Sequence, residues 1–366
     1  NGSAPTVAPR QHPCRIFFVS PSFCSLTLLV TMLNINRILF PTDFSSVAED
    51  AFSHAAHLAL QYDAVVHVFN VVTPQEAGTS SPLDYLPLEP VEDGDDDLYA
   101  APLATVDVET PAQEQASVQV VYRQIESTSP AEAIVDHATA KEVDLIVMGT
   151  HGRRGVDRLL RGSVSEEVVR EAPCPVFTVL ADGEPSPGPY VERVVAPVDL
   201  SSQSEMVIAH ARELARSYDA ALHVLHVIEN VAYPNAYGVD PLTPILPDVQ
   251  KRATEAVQAL VDAVRDGEVA IEAITRTGYA AQDILEYVEE IDAGLVVMAT
   301  HGRTGLERFL IGSVAEKVVR SAPCPVFTLK SFGHSLLPDA AAPPSETSSE
   351  ETEAEDASTA DASPTP

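Results

Sequence analysis

The sequence predicts two doubly wound α/β domains in series, each a mostly parallel sheet flanked by helices. Three observations carry this. The chain repeats itself: "LIVMGTHGRRGVDRLLRGSVSEEVVREAPCPVF" from Leu145 to Phe177 returns as "LVVMATHGRTGLERFLIGSVAEKVVRSAPCPVF" from Leu295 to Phe327. Apolar, strand-like runs alternate with helix-like runs inside each copy, which is the signature of parallel strands joined by helical crossovers. Each copy also has the usual size of one domain.

In the first copy, Ile38 to Phe40 is a short strand ended by Pro41. Ser45 or Ser46 can cap the helix that follows, where Ala48, Phe52, Ala55, Ala56 and Leu58 to Leu60 recur at helical spacing. Val65 to Val72 is apolar enough for a strand covered on both faces, and Val118 to Tyr122 is a third strand. Ser129-Pro130 opens a helix to about Ala140, with proline at the first helical position. Asp144 to Met148 is a strand, Val164 to Glu171 a helix, and Val176 to Leu180 the last strand.

The second copy follows the same plan. Its first half, Val191 to Ile228, matches Ile35 to Val72. Strands are expected at Val194–Val195, Leu222–Ile228, Ala270–Thr275, Leu295–Met298 and Val326–Leu329, with a helix over Ala281–Ile291. The domains are therefore placed at 32–181 and 191–330, with a linker at 182–190.

Three segments stand outside the repeat. Residues 1–31 are apolar in part but interrupted by Pro21 and serines, and are read as a disordered or spurious extension rather than a membrane span, with a poor signal sequence as the alternative. The insert at 73–107 is rich in proline and acid, including "EDGDDD" at Glu92 to Asp97; it reads as a solvated surface loop, with a lid over a ligand as the alternative. The Pro-containing stretch from Glu229 to Gln250 occupies the same place in the second copy. Residues 331–366 hold eight acids and no lysine or arginine, the composition of a disordered tail.

The formal charge is -32, from 54 acids against 22 bases, only four of them lysines. Such a surface disfavours non-specific binding to nucleic acid and suits solubility at very high salt, the halophilic pattern. Cys174 and Cys324 occupy equivalent places in "APCPVF" and read as small core residues; no spacing suggests zinc. A cytoplasmic location is expected.

The glycine-rich turn is the candidate site. Gly149, Gly152 and then Gly162-Ser163 follow the fourth strand, beyond the carboxyl ends of the strands where open sheets bind ligands. Backbone N–H groups of Gly162, Ser163 and Val164 start a helix and can hold phosphate. Neither the P-loop nor the dinucleotide fingerprint fits. Asp43 after the first strand, and Asp199 in the second copy, can bind a base or ribose or cap the next helix. Arg153 and Arg303 can meet phosphate or pair with surface acids. His151 and His301 flank the turn without an evident orienting partner.

With these residues in place, each copy resembles a domain of the universal stress protein family, and the chain resembles its tandem members. The likeness rests on "ILFPTDFS", "VHVFNVV", "LIVMGTHGRRG", "GSVSEEVV" and "CPVF". It implies a five-stranded, doubly wound domain. It also implies ATP, with Mg or Mn, bound by Asp43, Val71, Met148, Gly149, Gly152, Gly162, Ser163 and Val164. In the second copy the matching residues are Asp199, Val227, Met298, Ala299, Gly302, Gly312, Ser313 and Val314. Ala299 departs from the pattern, tolerably only if its φ is negative. The first site is therefore expected to be the safer one. Thr128 stands where the second copy has Gly278, which is expected to reshape the ribose edge. The resemblance further implies pairing of the last strands, here within one chain, with further pairing into a homodimer left open. Three functions are open: nucleotide-dependent binding in stress response or signalling, slow ATP hydrolysis without a visible base, and a structural role without nucleotide.

Overall fold

A computed structural model describes residues 33–74, 99–100, 104–109, 115–150, 163–180, 189–229, 246–301, 311–330 and 335–337. The chain divides into two units, Asn1–Thr31 and Met32–Pro366, and all described residues lie in the second. The extension expected at 1–31 thus lies outside them.

The first half runs β1 (Arg37–Pro41), α1 (Ser46–Tyr62), β2 (Val65–Val72), β3 (Tyr99–Ala100), β4 (Ala104–Glu109), β5 (Gln115–Glu126), α2 (Pro130–Ala140), β6 (Leu145–Gly149), α3 (Ser163–Glu171) and β7 (Val176–Val179). The second runs β8 (Arg193–Pro197), α4 (Ser204–Ser217), β9 (Ala221–Glu229), α5 (Leu246–Val264), β10 (Ile271–Gly278), α6 (Ala280–Glu290), β11 (Leu295–Ala299), α7 (Ser313–Ser321) and β12 (Val326–Leu329).

The first-half order β5-β2-β1-β6-β7 and its counterpart β10-β9-β8-β11-β12 are each parallel throughout. The chain reverses direction in the sheet at β1 and at β8, the doubly wound pattern in which loops beyond the carboxyl ends open a crevice. β7 and β12 pair antiparallel, with Phe177 opposite Phe327, so the two five-stranded sheets become one. Thr178 Oγ1 donates to the Val326 carbonyl at 3.2 Å, and Thr328 Oγ1 donates to the Val176 carbonyl at 3.1 Å, near-symmetric partners across the seam.

Strand side chains alternate between faces. Ile38, Phe40, Val194 and Ala196 join one buried cluster under α1, α4 and α5. Leu39, Ile146, Val195 and Val296 join a second under α2, α3, α6 and α7. Cys174 and Cys324 are buried in the second, and burial pushes both thiols up to about 12, so they are inert core residues.

Two expectations change. The acidic insert is not all loop, because β3 and β4 pair antiparallel with β5. The stretch read as a disordered tail includes Leu336, which is fully buried, with its carbonyl accepting from the Asn34 amide at 2.6 Å. Apolar Leu336-Leu337 outweighs the polar composition around it. Among the described residues no helix is long and apolar enough to cross a membrane.

Candidate functional site

In the second half a cavity of about 840 Å³ opens beyond the carboxyl ends of β8, β9 and β11. Its floor is apolar, with Val227 on β9, Met298 on β11 and Ile284 on α6. Its rim carries Asp199, His301 and the start of α7.

The loop bearing Asp199 is built the same way in both halves. After Pro41 and Pro197, the next backbone carbonyl is gripped from the neighbouring strand. Asn70 Nδ2 donates to the Thr42 carbonyl at 2.8 Å, and His226 Nδ1 donates to the Val198 carbonyl at 2.8 Å. Asp43 and Asp199 then each accept through Oδ1 from the amide two residues on, Ser45 at 3.1 Å and Ser201 at 3.0 Å. Between them Phe44 and Leu200 adopt left-handed φ values of 57° and 60°, which bulky residues seldom do. Such strain persists where the surroundings over-determine it. The aspartate thus fixes this turn and, at Asp199, also borders the cavity.

The other wall is the turn after β11. Thr300 Oγ1 donates to the Leu329 carbonyl at 3.2 Å, so it accepts from His301 Nδ1 at 3.0 Å. The ring is thereby oriented, contrary to the expectation that nothing holds it. Gly312 is the N-cap of α7 and offers no side chain to cap it. Its own amide is not available, because it donates to the Thr300 carbonyl at 2.8 Å. The expected donor role at Gly312 therefore passes to Ser313, Val314 and Ala315. These are first-turn residues whose amides have no intrahelical acceptor, and all three border the cavity.

Asp199, Val227, Met298, Ala299, Gly312, Ser313 and Val314 are thus brought together around one space. Ala299 is not among the positive-φ residues, so its methyl group is sterically allowed. In the first half, a Cβ at Gly149 would lie 2.8 Å from Val47 Cγ1. The repeat puts Gln203, which is not branched at Cβ, where Val47 stands. Asp43, Val71 and Met148 hold positions in the first half equivalent to Asp199, Val227 and Met298. Ser163 and Val164 begin α3. Gly152, Arg153, His151 and Gly162, and in the second half Gly302 and Arg303, lie outside the described residues.

Gly278 is explained without a ligand. Asp283 Oδ2 accepts from the Tyr279 amide at 2.6 Å and would lie 2.2 Å from a Cβ at position 278. The first half has Ala133 in place of Asp283, and Ser127 Oγ serves the Ser129 amide instead, so Thr128 is accommodated.

Sequence reasoning missed α5, which lends Val249, Arg252, Ala253 and Ala256 to the cavity wall. Ala253, Val257 and Val261 recur at helical spacing and are buried, a signal present in the sequence. It also missed His226, Gln203 and Ser204, polar residues that only the fold brings to the site.

The sequence model described as "Universal stress protein family" matches residues 34–179 and 191–330. The chain belongs to the universal stress protein family. A universal stress protein of Methanocaldococcus jannaschii is 32% identical over 142 residues, which is 38% of this chain and 82% of that one. A universal stress protein of Mycolicibacterium smegmatis is 26% identical over 295 residues, 80% of this chain and 96% of its own. Among solved structures, a universal stress protein from Archaeoglobus fulgidus covers 81% of this chain and 96% of itself, with a TM-score of 0.51 at 18% identity. A functionally unknown protein from Pseudomonas aeruginosa covers 81% and 92%, with a TM-score of 0.55 at 20% identity. At those identities the structural likeness speaks for the tandem universal stress fold alone.

Proposed function

We propose that this chain binds an adenine nucleotide, ATP in the first instance, in the second universal stress domain, and that occupancy governs its partners in stress response or signalling. The observation that carries the reading is the uncapped start of α7 facing a cavity of about 840 Å³. Three first-turn amides and the helix dipole attract phosphate there. Val227, Met298 and Ile284 offer an apolar slot for a base, with Asp199 at its edge as an acceptor for an exocyclic amine. Arg252, exposed on α5, adds a cation at the rim of an otherwise acidic protein. Mg or Mn would accompany the nucleotide's phosphates, as such ions usually do.

Binding is the function these features support, since the apolar floor, the acceptor at its edge and the amides of α7 all serve to hold a nucleotide. Calorimetric titration of the full chain with ATP and Mg tests the reading. Saturable binding is expected, and its absence, together with no nucleotide in native mass spectra, would overturn it.

A further inference from the structure

The sheet ends at β10, and among the described residues no strand pairs with the outer edge of that strand. The first domain treats the equivalent strand differently. There β4 covers β5 from Gln115 to Val120, and β3 covers Arg123 and Gln124. At the start of β10 the Leu222 amide donates to the Ala270 carbonyl at 2.8 Å, so the even-numbered residues turn their backbone groups toward β9. Ile271, Ala273, Thr275 and Thr277 therefore turn theirs outward. Arg265 Nη2 reaches the Ile271 carbonyl from that outer side at 3.3 Å. Beyond it, the outward groups of Ala273, Thr275 and Thr277 meet no other strand among the described residues. The strand is eight residues of "IEAITRTG", half of them β-branched, with neither proline nor lysine. Such an edge is a template for pairing.

We infer that two copies of this chain join through β10, antiparallel and about a two-fold axis at Ile274. The inference does not depend on the nucleotide reading. Near the middle of the strand, outward-facing residues can exchange hydrogen bonds in registers centred on Ala273, Ile274 or Thr275. Only the register centred on Ile274 sets Glu272 opposite the partner's Arg276, and does so twice. These are the non-hydrogen-bonded positions, where opposed side chains stand closest. Glu272, Ile274 and Arg276 share the face turned to α6, where Arg276 pairs with Glu290 and lies over the Tyr287 ring. Two Glu–Arg pairs then flank an apolar contact of Ile274 with its own copy, while Ala273 and Thr275 exchange backbone hydrogen bonds. An open edge alone accepts many strands. Opposite charges four residues apart about an apolar centre are complementary to the same strand reversed, which selects a second copy. The chain closes its internal seam in the same manner, β7 antiparallel to β12 with Phe177 opposite Phe327. The contact is isologous and occupies this edge in both copies, so it closes at a dimer.

Sedimentation velocity of the full chain over a concentration series tests this. A salt concentration of about 0.5 M screens the long-range repulsion between chains of charge -32 more than the contact between opposed side chains. A concentration-dependent dimer is expected. Glu272→Arg and Arg276→Glu each oppose like charges twice per dimer and should weaken it by about 10-fold or more. An equimolar mixture of the two variants restores opposite charges at both places and should recover the dimer. Arg276 also meets Glu290 and Tyr287, so if Arg276→Glu does not fold, Glu272→Arg, at an exposed position, decides together with Thr275→Pro. The proline deletes one outward amide and should also weaken the dimer. A wild type that stays monomeric throughout, a dimer undiminished in Glu272→Arg, or a mixture of folded variants that stays monomeric overturns the inference.

Discussion

At the scale of single residues, the two halves differ by paired exchanges. Gly149 lies against Val47, and the repeat puts Ala299 and Gln203 at the corresponding positions. Gly278 makes room for the capping Asp283, whereas Thr128 has only Ala133 to pass. A methyl group added at one site is harmless or costly according to its neighbour. Gly149→Ala is therefore expected to destabilise the first domain by about 1–3 kcal/mol through overpacking. Adding Val47→Ala should recover part of that loss, and Ala299→Gly should cost no more than about 1 kcal/mol. Chemical denaturation of the three variants checks this; equal costs at 149 and 299 would remove the argument. The sequence displayed the alanine but not its φ or its neighbour, so it suggested the first site as the safer one. The cavity described is in the second domain, and the matching turn of the first, 151–162, lies outside the described residues. Likewise Asp43 and Asp199 were legible as important. That they hold a turn through the next residue but one, with Phe44 and Leu200 strained between, is a matter of backbone angles no residue type announces.

At the scale of elements, the repeat and the alternation of apolar runs made ten parallel strands and most helices legible from residue order alone. What escaped lay in the variable segment of each copy, where the repeat gives no guidance. In the first, "ATVDVE" at Ala104–Glu109 alternates apolar and polar residues as an edge strand does, and pairs with β5. In the second, α5 packs Val257 and Val261 into the core and supplies a wall of the cavity. The same topological slot thus adds two strands to one sheet and a helix to the other site. The start of α7 shows a different limit. Gly312-Ser313 was legible as a helix start that could face an anion. The hydrogen bond from Gly312 to Thr300, which moves the donors one residue along, depends on the return of the turn and is a property of the fold.

At the scale of the whole molecule, two domains are fused through β7 and β12 and through α1 against α4. His54 Nδ1 lies 3.0 Å from the Tyr218 hydroxyl, and His57 Nε2 donates to the Ser217 carbonyl at 3.0 Å. Burial holds His54 down to about 3 and His210, on α4, down to about 4; it also lowers His57. Between those values and 6.5, His54 and His210 stay neutral in the folded protein while the unfolded chain takes up protons. Stability should therefore fall as pH drops from about 6.5 toward 3, by a few kcal/mol from His54 alone. His54→Gln, which keeps a polar partner for Tyr218, should flatten that decline; denaturation midpoints across the range measure it, and an unchanged slope would exclude His54 as a cause. The function proposed for this assembly rests on one feature, phosphate held by the bare amides that open α7. The most direct measurement is ATP affinity in Gly312→Asp and Gly312→Ala. Position 312 has φ −62°, so either side chain is allowed, with the Thr300 carbonyl a tight 3.2 Å from the new Cβ. An aspartate N-cap takes the amides for itself and adds a negative charge, while keeping the helix stable. The account predicts that Gly312→Asp loses nearly all ATP binding at the second domain and that Gly312→Ala retains most of it. Undiminished binding in a folded Gly312→Asp protein would contradict it.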